Sequence, residues 1–287
     1  MRSRRFRVSV DSVGVFDHIV VGVDASDFGF EALQQGLVLR APSGTLHAVT
    51  VVEEALASHA GFLASDAAAQ VELEAHQVYE KTVELLDGQP FCTVGLVKGG
   101  PVAALLSACA GQRATLVGVG GRHRSRTAGL LLSGVATVVL HDAPCSVLFA
   151  HPQWGERWYP KRILAGLDGS ANSLAALAAA DELAERLGSA VRVLAATGGK
   201  RIAMDEPWAE RVDEWVRGHP VVDLIDASIQ SDLVVVGSRG LHGLRSLGSV
   251  SERVAHRAHC SVLVVRPQAY ATDADRAAGA PQVESSG

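Results

Sequence analysis

The sequence predicts an α/β protein made of two tandem, doubly wound domains, each with a five-stranded parallel sheet. Short apolar runs alternate along the chain with segments in which apolar residues recur at helical spacing. This alternation is typical of a parallel sheet whose strands are buried on both faces by helices. The same order of elements then occurs a second time, which indicates that the unit is duplicated.

The first half supplies a complete set of strands and helices. Apolar runs predict strands at residues 16–23, 46–52, 91–97, 116–119 and 146–150. Helical periodicity predicts one helix after Ser26 and further helices over residues 67–86, 101–110 and 131–141. Pro101 follows two glycines, which is the position that proline favours at the start of a helix.

The second half repeats the landmarks of the first in the same order. The corresponding pairs are Asp24 and Asp168, Pro101 and Pro220, Gly120 and Gly237, and Cys145 and Cys260. Strands are predicted at residues 233–236 and 261–265. Between them Ser249 and Glu252 have the spacing of a capping box, for a helix that runs to about residue 259.

These landmarks divide the chain into five segments. We predict an N-terminal extension at 1–15, a first domain at 16–150, a linker at 151–160 and a second domain at 161–267. Residues 268–287 are rich in Ala, Asp, Gly, Pro and Ser, which predicts a disordered tail.

The second domain is predicted to have lost most of its second helix. The offset between corresponding residues falls from 144 at the first strand to 119 at Pro101 and Pro220, so 25 residues are missing between them. That length matches the helix at 67–86 with its loops. One face of the second sheet must then be covered by the linker tryptophans, the other half or a second chain.

Composition excludes several classes of function. The 287 residues carry a net charge of −5, so the chain lacks the excess of positive charge that is typical of nucleic-acid-binding proteins. No apolar run approaches the roughly 18 residues of a membrane span. Four cysteines without a C-x-x-C pair are typical of reduced thiols, so we expect a cytoplasmic protein.

Two features at the strand ends suit a nucleotide. The loop at 238–248 contains three glycines and leads into a helix N-terminus, where open N–H groups and the helix dipole favour phosphate. Asp24 and Asp168 follow a central strand, where a carboxylate can accept hydrogen bonds from a ribose. The alternatives are a plain strand-to-helix connection and an Asp24 that caps the following helix.

The sequence resembles the universal stress protein family. The resemblance rests on the order of elements, on the Asp after the first strand, on the spacing G-x2-G-x9-G-[S/T]-V after the fourth strand and on the segment Ala143-Pro-Cys-Ser-Val-Leu148. Two copies resemble its tandem type. The resemblance implies Rossmann-like domains of the adenine nucleotide alpha hydrolase-like kind. Many members of this family bind ATP, so ATP with Mg²⁺ is the implied ligand.

The resemblance also implies two sets of nucleotide-binding residues. In the first half they are Asp24, Val51, Gly120, Ser133, Gly134 and Val135. In the second half they are Asp168, Thr197, Gly237, Gly240, Gly248, Ser249 and Val250. Both halves depart from the family pattern: His123 replaces the second glycine in the first half, and the glycine loop of the second half is two residues shorter.

We expect a regulatory module that binds an adenine nucleotide and is not an enzyme. The alternatives are a ligand-free scaffold with decayed sites and a slow ATP hydrolase. No dinucleotide fingerprint follows the first strand, and the sequence contains no P-loop or G-x-S-x-G elbow. His256 and His259 lack a third metal ligand, so no metal site is predicted.

The expected partners follow from the duplication. The two halves are expected to form an intrachain pseudo-dimer through their last strands, as the resemblance implies and as hiding those edges requires. A homodimer and an unknown protein partner are both compatible with the sequence. No partner among nucleic acids or membranes is expected.

Overall fold

The structure is a computed structural model that describes residues 16–53, 64–121, 134–152, 158–196, 206–238 and 250–266. Ten strands form one sheet. The first five are β1 (His18–Gly22), β2 (Thr45–Val52), β3 (Cys92–Lys98), β4 (Leu116–Gly120) and β5 (Ser146–Ala150). The second five are β6 (Arg162–Leu167), β7 (Ala190–Ala196), β8 (Glu214–Val216), β9 (Leu233–Gly237) and β10 (Ser261–Val265).

The strand order is β3-β2-β1-β4-β5-β10-β9-β6-β7-β8. Each half is therefore a parallel five-stranded unit of the same topology, as predicted. The halves join through β5 and β10, which pair antiparallel with Leu148 opposite Leu263. This contact confirms the prediction that the last strands form an intrachain pseudo-dimer.

Seven α-helices cover the two faces of the sheet in the described residues. They are α1 (Asp27–Leu39), α2 (Ala64–Leu86), α3 (Pro101–Gly111), α4 (Gly134–Asp142), α5 (Ala171–Leu187), α6 (Pro220–Ser228) and α7 (Val250–Arg257). One hydrophobic core lies under α1, α2 and α5, and a second lies under α3, α4, α6 and α7. Pro101 occupies the predicted position in the first turn of α3.

The shortened second half is confirmed in the described residues. Where α2 stands in the first half, the described part of the β7–β8 connection holds a single 3-10 turn, Pro207–Arg211. Trp208 and Val212 from this segment pack against the core on that face. Trp158 of the predicted linker is also buried in this core, and its Nε1 donates to the Asp232 carbonyl oxygen at 3.3 Å. Two tryptophans from different segments thus join α5 in the core on this face.

The predicted limits of the domains stay predictions. The extension at 1–15 and the tail at 268–287 lie outside the described residues. The part of the chain that the structure describes contains no helix long and apolar enough to cross a membrane.

Candidate functional site

The carboxyl ends of β1, β2 and β4 form a crevice in the first half. The chain passes from β1 to β2 on one side and reaches β4 on the other, so the topological switch point lies between β1 and β4. Open α/β sheets bind ligands at this point. In the strand register Gly22 lies opposite Val49, and Val21 opposite Gly118. Asp24, Val51 and Gly120 therefore reach the same edge of the sheet.

Asp24 is exposed at this edge and is held by the turn that follows it. Its Oδ1 accepts a hydrogen bond from the Ser26 N–H at 3.0 Å and another from the Ser26 hydroxyl. Ser26 is the N-cap of α1, and its Oγ accepts from the Gly29 N–H. The alternative in which Asp24 caps this helix is wrong, because the cap is Ser26 and Asp24 orients it.

The second half repeats this arrangement. Asp168 is exposed, and its Oδ1 accepts from the Ser170 N–H at 3.1 Å and from the Ser170 hydroxyl at 2.5 Å. Ser170 is the N-cap of α5. Ala165 pairs with Val235, so Asp168 and Gly237 reach the same edge.

Gly120 and Gly237 have a packing role that does not require a ligand. A Cβ on Gly120 would lie 2.7 Å from the Phe28 backbone carbon, and one on Gly237 would lie 2.4 Å from that of Asn172. Each glycine therefore lets the first turn of a helix approach the end of a strand. In the second half the Asn172 side-chain amide also donates to the Ser238 carbonyl oxygen, which ties α5 to the segment after β9.

Gly134 and Val135 form the first turn of α4, and Val250 begins α7. Gly134 is exposed, and a Cβ placed on it would meet no atom within 4 Å among the described residues. These residues thus lie at helix N-termini, where phosphate is favoured. The helix α7 ends at Arg257, two residues before the predicted end near residue 259, so His259 lies beyond the helix.

The other predicted site residues lie outside the described residues. They are Ser133, Thr197, Gly240, Gly248 and Ser249. His123 and the glycine loop of the second half also lie there.

One residue beside the second crevice was missed by the sequence reasoning. Gly169, between Asp168 and Ser170, has a left-handed backbone with φ of +77°, and the Trp208 indole packs against it. The corresponding residue of the first half is Ala25. This exchange of alanine for glycine was the available signal, but the tryptophan is distant in sequence.

The thiols are unsuited to chemistry. Cys109, Cys145 and Cys260 are buried, and burial raises the pKa of Cys260 to about 12. A hydrogen bond with the neighbouring Cys109 thiol, together with burial, raises the pKa of Cys145 well above its usual value. Thiolates are the reactive form of cysteine, so these residues serve packing. No cluster of metal-ligating side chains occurs among the residues that the structure describes.

Comparisons with solved structures show the same fold. A universal stress protein from Archaeoglobus fulgidus DSM 4304 superposes with a TM-score of 0.68 over 88% of this chain and 97% of its own, at 20% identity. A putative universal stress protein from Pseudomonas aeruginosa UCBPP-PA14 gives a TM-score of 0.65 over 89% of this chain and 95% of its own, at 14% identity.

Sequence comparisons identify the family. A universal stress protein of Mycobacterium tuberculosis H37Rv is 31% identical over 183 residues, which cover 53% of this chain and 62% of the relative. The matched region thus spans less than two thirds of that relative. The model of the universal stress protein family matches residues 16–151 and 200–266. The chain therefore belongs to the universal stress protein family.

Proposed function

We propose that the first half binds an adenine nucleotide at the carboxyl ends of β1, β2 and β4, and that the protein acts as a regulatory module. The observation that carries this proposal is the exposed Asp24 carboxylate, oriented by Ser26 at the topological switch point. Such a group suits a ribose, whose hydroxyls can donate to it. The proposal agrees with the family resemblance.

Two other parts of the crevice suit the adenosine end and the phosphate end of a nucleotide. Val51 is half-buried at the end of β2 and lies beside Asp24, where its backbone can contact the adenosine. The α4 N-terminus, with open space at Gly134, suits the phosphates. Gly120 gives no evidence for or against a bound nucleotide, because the packing of α1 on β4 already requires a glycine there. Mg²⁺ would offset the phosphate charge when ATP is bound.

Nucleotide binding would act by biasing assembly or partner docking rather than through turnover. The competing function is a ligand-free scaffold, which the packing role of Gly120 and Gly237 favours. A slow ATP hydrolase is a third possibility. These functions differ in whether ATP binds and whether phosphate is released.

Isothermal titration of ATP with Mg²⁺ into the full-length chain tests the proposal. We expect a dissociation constant below about 100 μM, or roughly −5.5 kcal/mol. Asp24→Ala should weaken binding at least about tenfold, since about 1.4 kcal/mol is one charge-assisted hydrogen bond. Asp27→Ala is the matched control, because Asp27 is exposed three residues away in the first turn of α1.

The alternatives give different results. The absence of heat at high protein concentration would support the scaffold and overturn nucleotide binding. Phosphate release above that of the Asp24→Ala variant would identify a hydrolase. Equal loss of affinity in Asp24→Ala and Asp27→Ala would contradict a specific hydrogen bond from the ligand to Asp24.

A further inference from the structure

The crevice of the second half contains an aromatic side chain that the sequence comparison of the halves did not predict. Trp208, on the 3-10 turn between β7 and β8, packs against Gly169. Its Cζ2, Cε2 and Nε1 atoms lie 2.6, 2.9 and 3.2 Å from the point where a Cβ on Gly169 would stand. Gly169 directly follows Asp168, so the indole packs on the residue next to the one that corresponds to Asp24.

The indole lies between β8 and the turn after β6. Trp215 of β8 lies opposite Ala195 of β7, which in turn lies opposite Leu167 of β6. The ring centroids of Trp208 and Trp215 are 5.8 Å apart. Trp208 therefore reaches from Trp215 on β8 to the turn after β6.

The segment that carries Trp208 is fixed to the sheet. The Asp213 N–H donates to the Val193 carbonyl oxygen at 3.0 Å, and the Val193 N–H donates to the Asp213 carboxylate at 2.7 Å. Arg211 forms an ion pair of 2.7 Å with Asp181 on α5. This ion pair is about half exposed and contributes little, so the paired hydrogen bonds at Asp213 are the main anchor. These contacts hold the segment that carries Trp208 against β7 and α5.

The first half has a different arrangement at the corresponding place. Ala25 takes the place of Gly169, and the long helix α2 takes the place of the 3-10 turn. The face that α2 covers in the first half is covered by Trp208 in the second, since Trp208 also packs against the hydrophobic core. In the second half a side chain of the core thus also packs on the turn that follows β6.

We infer that Trp208 occludes the crevice of the second half, so that the chain binds one nucleotide, in the first half. This inference rests on the proposed function. A ligand held by Asp168 would need the space beside Gly169, against which the indole packs. Removal of the indole should open a second site that depends on Asp168.

The test is titration of ATP with Mg²⁺ into the full-length wild type, Trp208→Leu and Trp215→Leu. Leucine keeps an apolar side chain on the core and removes the ring from Gly169. Trp215→Leu is the matched control, because it removes the neighbouring ring without opening the space beside Gly169. We expect one site per chain in the wild type and in Trp215→Leu, and two sites in Trp208→Leu. Circular dichroism and the thermal midpoint establish that each variant is folded.

Combined variants assign the new site. Asp24→Ala should weaken the wild-type site at least about tenfold, and Trp208→Leu in that background should add a second site that is tighter than the weakened one. Asp168→Ala added to this pair should weaken the added site in turn. Trp208→Phe provides a second variant if leucine fails to fold, and it should open the crevice in part.

Each other outcome separates the inference from the proposed function. Two sites in the wild type, or one site in a folded Trp208→Leu, would overturn the inference while leaving nucleotide binding in place. Weaker binding at the single site in Trp208→Leu would assign the indole to stacking on the base and overturn occlusion. Binding by Trp208→Leu but not by the wild type would support occlusion and overturn binding in the first half. No binding by either protein would overturn both.

Discussion

Two glycines of the proposed site differ in what surrounds them, and this difference predicts opposite effects of alanine. A Cβ on Gly120 would lie 2.7 Å from the Phe28 backbone, which cannot rotate away, so α1 must shift. We expect Gly120→Ala to lower the free energy of unfolding by about 1–3 kcal/mol, as overpacked core substitutions do. Chemical denaturation of the full-length chain measures it.

Gly134→Ala is the control for this substitution. The new Cβ meets no described atom within 4 Å, and alanine restricts the unfolded chain, so stability should stay equal or rise by up to about 1 kcal/mol. If Gly120→Ala proved as stable as Gly134→Ala, the packing role assigned to Gly120 would be wrong.

At the level of residues, the sequence identified the side chains that lie at the edge of the sheet. Asp24 and Asp168 could be placed there because an apolar run fixes where a strand ends. Ser26 as the N-cap was missed in favour of Asp24, since both residue types favour that position. The packing of Trp208 on Gly169 could not be predicted, because it depends on the path of a connection that shares no pattern with the first half.

Arg186 joins helices of the two halves, in addition to the pairing of strands in the sheet. Arg186, in the last turn of α5, donates to the carbonyl oxygens of Val38, Leu39 and Arg40 at 3.2, 2.8 and 2.9 Å. These carbonyls belong to the C-terminal end of α1, which has no basic residue in its own last turn. A cation there satisfies open carbonyls and complements the helix dipole.

Arg186→Ala should lower the free energy of unfolding by about 2–3 kcal/mol. Arg186 is half-buried, and a hydrogen bond from a charged donor contributes about 1.5–3 kcal/mol. Arg192→Ala is the control, because its partner Glu214 and Arg192 itself are both exposed to water, and such pairs contribute up to about 1 kcal/mol. Urea denaturation measures the free energy of unfolding of both variants. Equal losses would contradict the stabilising role assigned to the hydrogen bonds from Arg186 to α1.

At the level of elements, most strands and helices begin and end within a few residues of the predicted limits. The reason is that an element ends where its periodic pattern of apolar residues gives way to glycine, proline or polar residues, and this change is visible locally in the sequence. The predicted strands at 146–150 and 261–265 are β5 and β10 without change. The hydrogen bonds from Arg186 on α5 to the end of α1 were not predicted, because the assembled sheet determines which residues of the two helices lie close together.

The whole molecule has an approximate twofold axis between β5 and β10. Val147 and Phe149 lie opposite Val264 and Val262 on either side of the pair Leu148 and Leu263. The backbone reproduces this symmetry. The His151 N–H donates to Ser261 Oγ at 3.0 Å, and the Arg266 N–H donates to Ser146 Oγ at 3.1 Å. The duplicated sequence predicted the pairing, since two identical edges are each other's natural cover.

This symmetry predicts that the first half can pair with a second copy of itself. A fragment of residues 1–152 exposes β5, whose residues are all buried in the full chain. Two copies can align Leu148 with Leu148 and place the His151 N–H on Ser146 Oγ of the other copy. We expect the fragment to sediment as a dimer at about 10 μM, since hiding an apolar edge strand favours association. Leu148→Asp should shift it to a monomer, because the carboxylate would be buried without a partner. Leu73→Asp, on the exposed face of α2, should leave the dimer intact. A folded fragment that stays monomeric with β5 unchanged would contradict this prediction. It would show that contacts of the second half outside β10, such as the hydrogen bonds from Arg186, are needed to hold the two halves together.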